Sequence, residues 1–132
     1  KIYDCRAVGR FRKQIILPMV GDRVDVLEEK GKGSVVNIHE RSSMLIRPPV
    51  ANIDQLVVVA SIASPQPDYD LIDSFLIRAQ AKGLSVVLCI NKTDLADCED
   101  AQKIYENAGY RVICESAKNI RVSEEFRVIF KD

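Results

Sequence analysis

Val86-Val87-Leu88-Cys89-Ile90-Asn91-Lys92-Thr93-Asp94 decides how this chain is read. Its unbroken apolar run predicts a strand buried on both faces. The polar residues that follow then stand at the strand's carboxyl end, where open α/β sheets bind ligands. Working outward, Leu56-Val57-Val58-Val59-Ala60 is a second such run and Arg111-Val112-Ile113-Cys114 a third strand. Ser64 to Asp70 is a loop with two prolines. Leu71, Ile72, Phe75, Leu76 and Ala79 follow at helical spacing, a core-packing stripe stopped near Gly83. Asp97 is placed to cap a helix running to Ala108, with Gly109 as its stop. Ser123, with Glu124 and Glu125 behind it, predicts a capped third helix with Phe126, Ile129 and Phe130 on one face. Residues 56–131 therefore read β-α-β-α-β-α, which implies a parallel sheet with right-handed crossovers.

The grammar before Arg47 is different. Asp22-Arg23-Val24-Asp25-Val26 alternates charged and apolar residues, as a half-solvated antiparallel strand does. Pro18 and Gly21 bracket a loop before it. Gly31-Lys32-Gly33 is a turn, and Ser34 to His39 leads away as another strand. Short strands with glycine turns suggest a small β-barrel. Pro48-Pro49 is a breaker and marks the expected boundary, giving domains 1–47 and 48–132. The chain starts with Lys1 inside a strand-like stretch, so it reads as a fragment.

The 132 residues are 47% hydrophobic and 29% charged, enough to bury a core. Nineteen Lys/Arg balance nineteen Asp/Glu, but unevenly. Residues 1–50 carry ten basic against six acidic residues, a net of +4, and the remainder carries nine against thirteen, a net of −4. A basic half is a candidate for an anionic partner. No apolar run approaches the ~20 residues of a membrane span, and no signal-peptide pattern is present, so no membrane partner is expected. Cys5, Cys89, Cys98 and Cys114 form no CxxC pair and His39 is the single histidine, so no metal site is expected. His39 reads as structural or exposed. Scattered thiols fit a reducing, cytoplasmic location. Cys89 and Cys114 read as core residues and Cys98 as a surface one.

Two strand ends carry the chemistry: Asn91-Lys92-Thr93-Asp94 after Ile90, and Glu115-Ser116-Ala117-Lys118 after Cys114. Both lie at one edge of the expected sheet. A guanine base offers N1–H and an exocyclic amine side by side, which a carboxylate accepts together. Asp94 is placed for that, and if buried it rejects adenine by leaving polar groups unpaired. The Lys92 stem can lie on a purine face. Asn91 can hold the loops together or reach N7, and a backbone N–H near Ala117 can donate to O6. The plainer reading makes Asn91 and Asp94 ordinary loop residues with Lys92 solvated. An N-K-x-D arises by chance roughly once or twice in a hundred chains of this length. Its position after a buried strand, with S-A-K after the next, makes coincidence far rarer. What is missing matters too. Glycines 9, 21, 31, 33, 83 and 109 cannot form G-x-x-x-x-G-K-[ST], and no D-x-x-G occurs.

N-K-x-D and S-A-K resemble the guanine-specificity elements of the P-loop GTPases. Cys5-Arg6-Ala7-Val8-Gly9-Arg10-Phe11-Arg12-Lys13, Pro18-Met19-Val20-Gly21-Asp22-Arg23-Val24 and Arg47-Pro48-Pro49-Val50-Ala51-Asn52-Ile53-Asp54-Gln55 extend the likeness over essentially the whole chain. Together these motifs are similar to the circularly permuted GTPases of bacterial ribosome assembly, the ribosome small-subunit-dependent GTPases A. The resemblance implies a partial OB-fold barrel lacking its first strand, then a partial P-loop-GTPase-type parallel sheet whose motif order begins with N-K-x-D. It implies nucleotide-binding roles for Asn91, Lys92, Thr93, Asp94, Ser116, Ala117 and Lys118. It further implies a monomeric GTP hydrolase that uses GTP/GDP with Mg²⁺ and binds 16S rRNA in the 30S subunit during late maturation. In the family the phosphate loop, the switch elements and a zinc-binding domain follow. No catalytic residue is assigned to this chain, which is expected to be inactive alone. Asn119-Ile120-Arg121-Val122 departs from the family's glycine-containing stretch after S-A-K.

Arg6, Arg10, Arg12 and Lys13 cluster around Phe11, cations for phosphates and an aromatic for an unpaired base. The alternative is a solvated edge strand whose charges discourage aggregation. A non-enzymatic RNA-binding protein with a degenerate nucleotide-binding half-domain is the competing function. A flavodoxin-like module with accidental motifs is a third.

Overall fold

The computed structural model describes residues 2–7, 9, 11, 16–29, 31–119 and 123–130. The chain divides into two compact units, Lys1–Asp54 and Gln55–Asp132.

In the first unit β1 (Cys5–Ala7), β2 (Val24–Glu29) and β3 (Lys32–Ile38) form a sheet in the order β1-β3-β2. The β2–β3 pair is antiparallel, as the alternation predicts, with a bulge at Asp25/Val26. β1 runs parallel to β3, Arg6 opposite Ser34. A second ladder joins β4 (Met44–Leu45) to β5 (Val50–Ala51), and Pro48-Pro49 lies in the turn between them. Gly21 holds φ +87° with the Ala51 carbonyl where a Cβ would stand, so only glycine fits there. One polar clamp ties the loop before β2 to the loop after β3. Arg41 Nε donates to Asp22 Oδ1 at 2.7 Å and Nη2 to Oδ2 at 2.9 Å, while the Met19 N–H donates to Oδ2 at 2.7 Å. Exposed His39 pairs with Asp25 at 2.8 Å.

In the second unit β6 (Gln55–Ser61), β7 (Ser85–Asn91) and β8 (Arg111–Cys114) form a parallel sheet in chain order. Helices α1 (Tyr69–Gln80) and α2 (Glu99–Asn107) connect them, and α3 (Glu124–Val128) follows β8. Asp68 caps α1 by accepting the Leu71 N–H. Asp97 accepts the Glu99 N–H at 3.0 Å, although the N-cap position itself falls to Cys98. Gly109, at φ +89°, ends the second helix as expected. Ser123 caps α3 through the Phe126 N–H. One sheet face packs Leu88, Ile90 and Val112 against Ile72 and Leu76 of α1 and Ala101 and Tyr105 of α2. Burying each such aliphatic side chain contributes roughly 1.5–3 kcal/mol. The other face carries Val87 and Ile113 against Ile129, with Val57 and Phe126 at its margin.

Three core expectations are corrected. β6 is not buried on both faces: it is the sheet's edge, and Val59 is 62% exposed. The α1 stripe is narrower than its spacing suggests, because Ile72, Leu76 and Ala79 face the sheet while Leu71 and Phe75 stand exposed. Phe130 is likewise exposed, its ring against Phe126.

Candidate functional site

Two loops at the carboxyl edge of the parallel sheet make the site. The first runs from Asn91, the last residue of β7, to Cys98, the N-cap of α2. The second begins at Glu115, directly after β8. β7 and β8 pair in register, Ile90 opposite Cys114, so both chains leave the sheet side by side. Asn91 Oδ1 accepts the Lys92 N–H at 2.7 Å and, across the gap, the Ala117 N–H at 3.0 Å. The Thr93 N–H reaches the Glu115 carbonyl.

Asp94 is the focus. Ser116, buried at 3% exposure, donates its hydroxyl to Asp94 Oδ1 at 2.6 Å. The Lys118 ammonium donates to Oδ2 at 2.7 Å. Lys118 and then Ser116 hold the Asp94 carboxyl below the usual carboxylate range. The carboxylate is thus anionic, aimed along the loop edge and 27% exposed rather than enclosed. Lys92 takes a left-handed backbone, φ +65°, and its ammonium donates to the Ser64 carbonyl in the loop after β6. Its stem therefore spans the top of the sheet.

The structure brings Asn91, Lys92, Thr93, Asp94, Ser116, Ala117 and Lys118 into one connected cluster. Two details bear on these roles. The Ala117 N–H itself donates to Asn91, so a donor to a base oxygen near Ala117 would have to be a neighbouring N–H. The Asp94 carboxylate, whose rejection of adenine is conditional on burial, is 27% exposed and holds the Lys118 ammonium. Sequence reasoning missed the parts played by Ser64, by the Glu115 side chain and by the Cys98–Cys114 pair. Ser64 supplies only a carbonyl, which no side-chain motif announces. Glu115 keeps one carboxylate oxygen buried without a hydrogen-bond partner. It borders a cleft of about 230 Å³ with Val59, Cys89, Asn91, Ser116, Ala117 and Phe126. Burial and then Glu115 push the Cys89 thiol up. Cys98 is not a surface residue: it is 9% exposed and disulfide-linked to Cys114, Cα atoms 6.7 Å apart. Parallel pairing of β7 with β8 brings together thiols that lie 16 residues apart in sequence.

The proposed RNA-contacting residues fare unevenly. Arg6 is exposed on β1. Phe11 is 4% exposed, so its ring is packed into the protein and the stacking role is withdrawn. Arg10, Arg12 and Lys13 lie outside the described residues. Among the described residues no group of three His, Cys, Asp or Glu could hold a metal, and no helix is long and apolar enough to cross a membrane.

The family described as RsgA GTPase matches residues 38–132, and that described as RsgA N-terminal domain matches residues 1–36. A small ribosomal subunit biogenesis GTPase RsgA from Alkaliphilus metalliredigens is 43% identical over 122 residues, 88% of this chain and 42% of that protein. One of the same name from Agathobacter rectalis is 41% identical over 98% of this chain and 45% of its own length. Among solved structures, YjeQ from Thermotoga maritima superposes with a TM-score of 0.75 at 35% identity, covering 96% of this chain and 48% of that one. YloQ, a circularly permuted GTPase, gives 0.69 at 38% identity, covering 90% and 44%. The chain spans less than half the length of these relatives. The fold is a partial OB-fold barrel followed by a partial P-loop-GTPase-type parallel sheet.

Proposed function

Because this chain belongs to the RsgA GTPase family, we propose that its parent protein is a cytoplasmic, monomeric GTP hydrolase of ribosome biogenesis, and that residues 91–94 and 116–118 read its guanine base. The parent binds 16S rRNA in the 30S subunit and acts in late small-subunit maturation. Its OB-fold lies in the unit Lys1–Asp54 and the first half of its permuted GTPase domain in Gln55–Asp132, since the boundary expected at residues 47/48 falls within the β4–β5 hairpin. Arg6, Arg10, Arg12 and Lys13 supply phosphate contacts. Mg²⁺ and zinc belong to other segments of the family's architecture, and no described residue cluster of this chain is assigned to either.

One observation carries the reading: two sets of hydrogen bonds, Asn91 with Ala117 and Asp94 with Ser116 and Lys118, tie the two strand ends together. Ser116 fixes one carboxylate oxygen and so sets the plane in which Asp94 accepts. The base's N1–H and amine then take the Oδ2 side, displacing the Lys118 ammonium. The Lys92 stem forms a floor for the ring. GTP supplies the reacting γ-phosphate when bound, and positioning and charge stabilisation there fall to other segments. This chain's part is discrimination.

Asp94→Asn is the test. The amide keeps the size but offers an N–H, which matches the xanthine carbonyl rather than the guanine amine. Titration of GMP and XMP, followed by NMR, should show wild type preferring GMP and the variant XMP. A swing of about tenfold or more is expected from one mismatched polar pair. An unchanged preference would refute the base-reading role.

A further inference from the structure

The sulfur bridge between Cys98 and Cys114 has a position that the base-reading network does not use. Cys98 closes the first loop at the N-cap of α2, and Cys114 is the last residue of β8 before the second loop. The Asn91–Ala117 hydrogen bond joins the same two loops at their other end. Residues 91–98 and 114–117 therefore make a ring, with Asp94 and Ser116 among its members. One closure of the ring is a hydrogen bond and the other is covalent.

We propose that Cys98 and Cys114 are a reversible thiol–disulfide pair that stiffens the two base-reading loops when oxidised. This regulation of the site rests on the guanine reading for its meaning, though not for its chemistry. Their Cα separation of 6.7 Å falls within the range disulfides span, about 4.4–6.8 Å, so opening and closing need no rebuilding of the sheet. Cys98 is 9% exposed and Cys114 partly buried, and Cys114 is taken as the sulfur oxidised first. Gln102 of α2 sits beside it, its Oε1 3.4 Å from the sulfur. Cys5 and Cys89 are free thiols.

The step balances with hydrogen peroxide as oxidant. Peroxide oxidises the Cys114 sulfur to a sulfenic acid and leaves as one water. The Cys98 sulfur then attacks it, the S–O bond breaks, and a second water departs as the S–S bond forms. A dithiol reductant reverses this by thiol–disulfide exchange and is itself oxidised to a disulfide. In the reduced protein the loops are held by hydrogen bonds alone. In the oxidised one their relative motion is limited, and part of the ordering cost of binding a base is already met.

The experiment compares the 132-residue chain reduced with dithiothreitol and oxidised with stoichiometric peroxide. Non-reducing peptide mapping should give a Cys98–Cys114 linked peptide, lighter than the two thiol peptides together by two hydrogens. Amide exchange across residues 91–98 and 114–117 should slow about tenfold on oxidation and recover on reduction. GMP affinity should rise several-fold in the oxidised form. Cys98→Ser should abolish all three responses to peroxide, while the wild-type comparison needs no substitution. Linkage through Cys5 or Cys89 instead, or a correct link with unchanged loop exchange, would overturn the proposal. Unchanged GMP affinity would overturn it too, wherever Asp94→Asn shows the base reading to hold. If Asp94→Asn leaves base preference unaltered in both redox states, the guanine reading fails, and mapping and exchange still decide the sulfur pair.

Discussion

Asn91 accepts two backbone N–H groups through one side-chain oxygen, and one of them belongs to the neighbouring loop. Asn91→Ala leaves both without that partner. Stranding donors at a partly buried site costs about 1–3 kcal/mol, so the variant should lose on the order of 2 kcal/mol in urea unfolding. Amide exchange should speed up most at Ala117, whereas Asn91→Asp, which keeps the oxygen, should lose less. A loss spread evenly over the chain would contradict a linking role. At this scale the sequence was highly legible for the site, because Asn91, Asp94 and Ser116 are constrained in type and spacing by what they hold. It was silent on which side chains hold Asp94. Lys118 and Asp94 are 24 residues apart, and their ion pair depends on the local course of the second loop. Phe11 shows the same limit, since an aromatic among cations reads as a stacking platform until its burial is seen.

Elements depend on partners as well as on local pattern, and the Asp22–Arg41 clamp is the clearest case. The Asp22 side chain is 2% exposed and that of Arg41 18%, and the Arg41 guanidinium also donates to the Leu17 carbonyl. Hydrogen bonding from Arg41, with help from Met19 and against the opposing effect of burial, holds the Asp22 carboxyl below its ordinary 3.8. A depressed carboxylate contributes stability that is fully present above the ordinary value and lost as pH falls through the lower, folded one. Arg41→Ala should therefore destabilise β2 and β3 by on the order of 3 kcal/mol near neutrality, because a carboxylate is left buried without its counter-charge. Hydrogen exchange of those strands gives the local measure. The gap between variant and wild type should narrow as pH drops below 3.8; a gap independent of pH would count against the clamp. The strands and helices themselves were readable from periodicity. Which of their faces is covered was not. Val59 belongs to an unbroken apolar run yet stands exposed, because an edge is defined by the absence of a neighbouring strand rather than by composition. Leu71 and Phe75 share a helical stripe with Ile72 and Leu76, but only the latter pair packs into the core with Leu88 and Ile90.

Across the whole molecule, base reading and phosphate binding come apart. Nucleotide affinity in P-loop proteins rests on glycine-rich backbone N–H groups that cradle the phosphates. None of the glycines at 9, 21, 31, 33, 83 and 109 begins such a loop, whereas the hydrogen bonds around the proposed base-reading residues are in place. The purified chain should thus treat the phosphates as spectators. Guanosine, GMP and GDP should bind with weak affinities equal to within about threefold, since only surface cations such as Lys92 and Lys118 lie near the site and exposed ion pairs contribute little. Adenosine should bind more weakly than guanosine, for want of the donor pair that Asp94 accepts. No Mg²⁺-dependent release of phosphate from GTP should be detectable. NMR titration with the three guanine ligands, beside a phosphate-release assay, measures all of this on one preparation. GDP binding a hundredfold tighter than guanosine, or turnover above background, would mean that this chain builds a phosphate site by a route its glycines do not reveal. Equal affinities together with the Asp94→Asn exchange of base preference would establish that guanine recognition in this fold is carried by two strand ends and needs no phosphate loop to be specific.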